Sequence, residues 1–150
     1  MDQFIPHVVV SDGLAALEFY KTVLGGVDGE NMMAPDGKRL LHAEVVVDGS
    51  KLFVSDEFAA AEGGSLMTPV SLGGTPVRIT MNVDDADAVV ARAESAGASV
   101  IMPVQDMFWG ARYGRFVDPF GHEWGINQQV REVTPDEETA AAAEFFSNKD

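Results

Sequence analysis

The stretch Val8–Gly25, VVVSDGLAALEFYKTVLG, decides the fold because its pattern returns 72 residues later. An apolar run ends at Asp12, a residue type that caps helix N-termini, and the amphipathic segment after it stops at Gly25. Glycine is favoured just past a helix end, where the backbone turns left-handed. Asp84 and Gly97 repeat the spacing behind a second apolar run. The repeat predicts two strand–helix pairs, with helices over Gly13–Leu24 and Asp85–Ala96.

A third pair of sequence signals, two turns between strands, is also separated by 72 residues. Asp48-Gly49 is a hairpin turn between Leu40–Val47 and Lys51–Ser55, and the turn that ends at Gly121 separates Arg112–Val117 from His122–Gln128. Weaker strands are expected over Val27–Met33 and Ser99–Val104. Because three offsets agree between like elements, the sequence predicts an internal duplication of a βαβββ unit. The fold class is therefore α+β.

The expected organisation is a single domain over residues 1–150. The first unit spans 3–56, a linker with two Gly-Gly pairs spans 57–74, and the second unit spans 75–130. A capping box that starts at Thr134, with Pro135 behind it, predicts a C-terminal helix over 134–146.

The amino-acid composition excludes several classes of partner and of active site. A formal charge of −14 would repel nucleic acid and anionic membranes, so neither is an expected partner. The absence of cysteine excludes thiolate metal sites, thiol nucleophiles and disulfides. The N-terminal segment lacks the basic start and long apolar run of a signal peptide, and no segment is apolar enough to span a bilayer. We therefore expect a cytoplasmic protein whose partner is a small molecule.

Strand alternation divides each sheet into an apolar face and a polar face. His42 and Glu44 fall opposite the apolar set Leu41, Ala43, Val45 and Val47, and Arg78 and Thr80 fall opposite Ile79 and Met81. His7 and Glu123 join the polar faces of their own strands. A polar face that also carries aromatic rings is typical of a small-molecule site, and if the sheet curls that face becomes a cup.

Several motifs give the chain a resemblance to the vicinal-oxygen-chelate superfamily of glyoxalases, bleomycin-resistance proteins and dioxygenases. They are Val10-Ser11-Asp12 with Glu18-Phe19-Tyr20, His42-Ala43-Glu44, the run from Met107 to Gly114, and Asp118-Pro119-Phe120-Gly121-His122-Glu123-Trp124. The last two runs are similar to the PhnB-like branch, and the resemblance covers residues 3–130. It implies a cup-shaped mixed sheet, a homodimer, and a ligand in each cup.

The resemblance also implies four positions for a divalent metal, on the first, fourth, fifth and eighth strands. In this sequence they fall on Ile5, Phe53, Val77 or Arg78, and Gly125. None of these side chains offers a metal a donor lone pair of the usual kind. We therefore expect no cofactor and no metal at these positions.

Three functions stay open. The first is metal-free binding of a small organic molecule, for which the expected ligand-binding residues are His7, His42, Glu44, Phe53, Arg78, Thr80, Trp109, Arg112, Tyr113 and Glu123. The second is a lyase or dioxygenase that uses a divalent metal relocated to His7, His42, Glu44 and Glu123, or that uses Glu123 or Glu44 as a general base. The third is a structural dimer with empty cups. Arg78, on a strongly acidic chain, is expected to meet Glu44, Glu123 or an anionic ligand.

Overall fold

The computed structural model describes residues 2–149 and contains two sheets with the same strand order. The first unit consists of β1 (His7–Val10), α1 (Gly13–Leu24), β2 (Val27–Met33), β3 (Leu40–Val47) and β4 (Ser50–Asp56). The second consists of β5 (Arg78–Asn82), α3 (Ala86–Ser95), β6 (Ser99–Asp106), β7 (Ala111–Val117) and β8 (Glu123–Gln129). A short 3₁₀ turn (Ala60–Glu62) and helix α2 (Pro69–Leu72) lie between the units, and α4 (Pro135–Ser147) follows them.

Each sheet is mixed, and the two sheets are paired alike. The orders are β1-β4-β3-β2 and β5-β8-β7-β6, and the first strand of each unit runs parallel to the last. The remaining neighbours are antiparallel. This common order confirms the predicted α+β fold of two βαβββ units, although the eight strands form two four-stranded sheets and not one continuous sheet.

The helix caps follow the sequence signals, with one correction. Asp12 accepts a hydrogen bond from Ala15 N at 3.1 Å, and Gly25 has the left-handed φ of 73° expected past a helix end. In the second unit the cap is Asp85 and not Asp84, because the Asp85 carboxylate accepts from Ala88 N at 3.0 Å. Helix α3 therefore begins one residue later than the repeat suggested.

The core lies on the helix-covered face of both sheets. Tyr20 of α1 reaches the second unit, where its ring lies 5.6 Å from the ring of Trp124. Leu40 is buried in this core and Leu41 is exposed, which corrects the predicted phase at the start of β3. The cause is a register shift, since Met33 pairs with Leu40 whereas Met32 pairs with His42, so that Leu41 is an extra residue.

The peripheral segments are held by side-chain hydrogen bonds. Glu57 accepts from Met67 N, Thr68 N and Ser71 Oγ, which fixes the path of the linker. Thr134 and Glu137 form the predicted capping box of α4, and the Phe145 ring of this helix lies 5.4 Å from that of Phe108. Within residues 2–149, no helix is both long and apolar enough to cross a membrane.

Candidate functional site

Three rings meet on the polar face of the first sheet, which we call the first cluster: His7, His42 and Phe53. The parallel register sets His7 beside Phe53, with ring centroids 6.0 Å apart, and His42 lies 4.5 Å from Phe53. The two imidazoles are 6.5 Å apart. All contacts are edge to face, the arrangement that aromatic quadrupoles prefer. The sequence placed all three residues on this face, and the structure brings them together.

The imidazole of His7 is held in an electrically neutral state near pH 7. Its Nε2 lies 2.9 Å from Ser55 Oγ, a residue that the sequence analysis did not single out. Partial burial lowers the pKa of His7 from its ordinary value, and the nearby His42 lowers it further. A neutral imidazole can donate or accept a hydrogen bond without bringing a charge to the site.

Glu44 lies beside the rings as a paired carboxylate. Its side chain is only 8% exposed, and it accepts a hydrogen bond from Lys51 Nζ at 3.0 Å, while His42 Nε2 lies 3.7 Å away. The Lys51 hydrogen bond is the largest cause that lowers the pKa of Glu44. Gly29 makes room for the carboxylate, because a Cβ there would lie 2.7 Å from Glu44 Oε2.

On the second sheet, Arg78 and Glu123 form an ion pair across neighbouring strands. The parallel register of β5 and β8 sets them side by side, and Arg78 Nε donates to Glu123 Oε1 at 2.9 Å. Of the three partners expected for Arg78, the structure therefore supplies Glu123. Glu44 lies on the other sheet, where Lys51 pairs with it.

Beside this pair lies a second group, which we call the second cluster: Tyr113, Arg115, Gly125 and Thr80. Arg115 Nε donates to the Tyr113 hydroxyl at 3.1 Å, and the Arg115 guanidinium carbon lies 5.4 Å from the centroid of the tyrosine ring. A Cβ on Gly125 would lie 2.5 Å from that hydroxyl and 3.1 Å from Thr80 Oγ1. The absence of a side chain at Gly125 is what lets the hydroxyl lie there. The sequence analysis missed Arg115.

The two remaining residues that the sequence predicted for ligand binding, Trp109 and Arg112, lie on different faces of the second sheet. Trp109 packs its ring 5.7 Å from that of Tyr113, at the end of the second cluster. Arg112 lies on the opposite face, where it donates two hydrogen bonds to Asp87 of α3 and one to Asp106. Alternation explains the difference: Tyr113 and Arg115 share one face of β7, and Arg112 shares the other with the buried Phe116. The expected cup position of Arg112 is therefore not observed.

The metal positions implied by the family resemblance hold no suitable donors. The Phe53 ring fills its position, Arg78 is engaged with Glu123, and Gly125 has no side chain. The relocated set is also split, because Glu123 pairs with Arg78 on the second sheet, away from His7, His42 and Glu44. Within residues 2–149, no three His, Asp or Glu side chains are grouped as a metal site would require.

A groove of about 560 Å³ lies beside β5, and we call it the seam groove. The N-terminal segment, the β3–β4 turn and β5 line it, with Phe4, Pro6, Asp48, Lys51, Met81 and Asn82 among its residues. It does not include the rings of the first cluster or the Tyr113–Arg115 pair. The seam groove touches the second cluster at Thr80, and it is a further candidate site beside the two clusters.

Comparisons with known proteins agree with the fold and the motifs. Residues 4–126 match the family model of the Glyoxalase/Bleomycin resistance protein/Dioxygenase superfamily. The uncharacterized protein Mb0911c of Mycobacterium bovis is 46% identical over 136 residues, which are 91% of this chain and 89% of the relative. Protein PA1353 of Pseudomonas aeruginosa has a similar crystal structure, with a TM-score of 0.65 and 26% identity over 87% of this chain and all of that one. The PhnB protein of Bacillus cereus shares the fold, with a TM-score of 0.61 and 13% identity over 85% of this chain and 99% of that one.

Proposed function

The chain belongs to the Glyoxalase/Bleomycin resistance protein/Dioxygenase superfamily, and from this premise we propose that it binds a small planar organic molecule on the polar faces of its sheets, without a catalytic metal. The donor chemistry of the side chains supports the metal-free part of the proposal, because Phe53, Arg78 and Gly125 occupy the implied ligand positions. The cytoplasmic location expected from the sequence stays a prediction.

The observation that carries the proposal is the first cluster. His7, His42 and Phe53 turn their rings toward each other on the polar face of the first sheet, and each keeps part of its surface open to solvent. Rings in this arrangement offer faces and edges to a further flat ring. Because the pKa of His7 is lowered, the cluster presents a neutral histidine at neutral pH, which suits an uncharged aromatic group.

The enzyme alternative depends on a general base, and Glu44 is poorly suited to that role. A carboxylate whose pKa is lowered by Lys51 is a weaker proton acceptor at neutral pH than an ordinary one. Glu123 is hydrogen-bonded to Arg78. His7 is neutral and lies on the open face, so it is the residue on which a lyase or dioxygenase proposal would depend.

A second copy of the chain is the protein partner that we propose. Five large apolar side chains between the two units are more than half exposed: Leu66, Met67, Val70, Leu72 and Val77. Exposed apolar side chains close together on a surface are typical of protein interfaces.

Sedimentation velocity should show a dimer, and Val70→Asp should shift the equilibrium toward the monomer. A monomeric wild-type chain at 100 μM or so would contradict this part of the proposal.

Calorimetric titration with 2-naphthol, a flat and largely uncharged probe, tests the main proposal. We expect saturable binding that Phe53→Ala weakens about threefold to tenfold, because an aromatic pair contributes roughly 0.5–1.5 kcal/mol. Phe4→Ala is the matched control, since Phe4 is 92% exposed and lines the seam groove. If Phe4→Ala weakens binding and Phe53→Ala does not, the ligand lies in the seam groove. If 2-naphthol does not bind at all, the proposal is wrong.

A further inference from the structure

Among the residues that the structure describes, 2–149, Arg115 forms no salt bridge, although the chain carries 24 acidic residues. Arg39, Arg78 and Arg112 each form salt bridges with carboxylates, and so do Lys21 and Lys51. The other cations that form none in this part of the chain are exposed, whereas Arg115 is half-buried; they are Lys38, Arg92, Arg131 and Lys149. Within residues 2–149 no carboxylate lies within 4.0 Å of Arg115, and its one hydrogen bond runs from Nε to the Tyr113 hydroxyl. A half-buried guanidinium usually pairs with a negative group, so a partner remains to be identified.

The hydrogen-bonding edge of this arginine is open. Nε is engaged with Tyr113, so the two terminal nitrogens remain as donors. In the part of the chain that the structure describes, no buried side-chain nitrogen or oxygen lacks a hydrogen-bond partner. The terminal nitrogens of Arg115 are therefore reached by solvent, and a ligand could take the place of that solvent.

Tyr113 adds a further donor at the same point. Its hydroxyl oxygen accepts from Arg115, which leaves the hydroxyl proton available for another acceptor. The hydroxyl lies over Gly125 and close to Thr80 Oγ1. Arg78 lies near enough for the Tyr113 hydroxyl to contribute to raising the arginine's pKa. Donors from two strands, β5 and β7, thus converge on one spot beside Gly125 of β8.

Charge on this face favours an anion. The side chains that β5, β7 and β8 direct there include Arg78, Arg115 and the carboxylate of Glu123. One arginine is neutralised by the glutamate and the other is not, which leaves a local positive charge on a chain of net charge −14. Such a local charge attracts a small anion and repels a second cation.

We propose that Arg115 and the Tyr113 hydroxyl form a subsite for the carboxylate of the bound molecule. A guanidinium presents two parallel N–H donors that match the two oxygens of a carboxylate, and the tyrosine hydroxyl donates to one of them. This inference rests on the proposed function, the binding of a flat molecule on a polar sheet face, and it adds that the molecule bound on the second sheet is an organic acid. Trp109, beside Tyr113, is positioned to contact the adjoining flat part of the molecule.

The test compares two probes that differ in charge, 2-naphthoate and 2-naphthalenemethanol, by calorimetry. We expect the wild type to bind the acid about tenfold or more tightly than the alcohol, since hydrogen bonds to charged groups exceed neutral ones. Arg115→Met should remove most of this preference without changing the affinity for the alcohol. Arg115→Lys should keep part of the preference for the acid over the alcohol. Arg112→Met is the matched control, because Arg112 lies on the other face of the same strand, and it should keep the full preference.

A second measurement tests the subsite without the ring system. The Arg115 Nε–H resonance, assigned by its loss in Arg115→Lys, should shift on titration with sodium acetate and not with sodium chloride at equal ionic strength. If it does not shift, the subsite is wrong even when both naphthyl probes bind. Equal affinity for acid and alcohol would also overturn the subsite and leave the proposed function intact. If Lys51→Met and not Arg115→Met removes the preference for the acid, the carboxylate is bound beside Lys51 and the subsite is wrong.

Discussion

The hydroxyl of Tyr20 donates a hydrogen bond to Oδ2 of Asp118, so that the first helix of one unit is tied to the β7–β8 turn of the other. Asp118 is only 4% exposed, and it also accepts hydrogen bonds from Trp124 Nε1, Phe120 N and His122 N. A buried carboxylate with four donors is well compensated for its loss of water. The contact joins the duplicated units through a polar centre inside an apolar core.

Replacing Tyr20 by Phe should destabilise the protein. The change removes one of the four donors to a buried charge, and we expect the free energy of unfolding to fall by about 1.5–3 kcal/mol. Urea denaturation measures it. Tyr113→Phe is the control, because Tyr113 is also buried but its hydroxyl bonds to the half-buried Arg115 and to no buried carboxylate. If both substitutions cost the same, the Asp118 centre has no special role in stability.

Gly13→Ala should also destabilise the protein, although replacing glycine by alanine in a helix usually stabilises it. Alanine is favoured over glycine inside helices by roughly 0.8–1 kcal/mol. At Gly13, however, a Cβ would collide with Asp56 Oδ2 and lie 2.9 Å from Leu40 Cδ1. The same carboxylate accepts from Gly13 N and Leu40 N, so it is fixed in place. We expect a net loss of about 1–3 kcal/mol in thermal or urea unfolding, whereas a gain would show that the contact relaxes freely.

Stability should fall as the pH drops below about 6.5. The pKa of His7 is lowered in the folded protein, first by burial and then by His42, from an ordinary value of 6.5. Between the ordinary and the lowered pKa the unfolded chain binds a proton that the folded chain does not, so acid favours unfolding. Urea titrations at pH 7.5, 6.5 and 5.5 should show this decline, and His7→Gln should flatten it. An unchanged slope in His7→Gln would assign the decline to other groups.

Glu44 should cause a separate loss of folding stability at lower pH. Its pKa is lowered from 4.5 mainly by Lys51, so its stabilising effect is complete above 4.5 and is lost as the pH falls through the lowered value. Lys51→Met should reduce the stability difference between pH 5 and pH 3. Lys38→Met is the control, because Lys38 is an exposed lysine that forms no salt bridge within residues 2–149. Equal pH profiles for both variants would contradict the role of Lys51.

The purified protein should retain well under one divalent ion per chain. We expect this after incubation with Zn²⁺, Ni²⁺, Mn²⁺ or Fe²⁺ and exhaustive dialysis, because the positions implied by the family offer no suitable donors. Elemental analysis measures the ion content. Stoichiometric retention that His42→Ala abolishes would instead establish a relocated metal site at the first cluster.

The sequence alone determined the duplicated units, most helix and strand bounds, and which residues share a face. These features follow from local rules: a period of two along strands, capping residues and glycines at helix ends, and turn residues between strands. The same alternation placed His7 and His42 on a polar face, and the family resemblance placed Phe53 there.

Only the tertiary structure decided which of these residues meet. The bulge at Leu41 reversed the phase at the start of β3, because an extra residue on one strand shifts every side chain before it to the opposite face. Lys51 reached Glu44 across the β3–β4 pair, and that contact depends on register. Packing also fixed the contact of Arg112 with Asp87 of α3, whereas the face of Arg112 followed from alternation along β7. Contacts between strands and helices far apart in the chain are set by packing, and no local pattern encodes them.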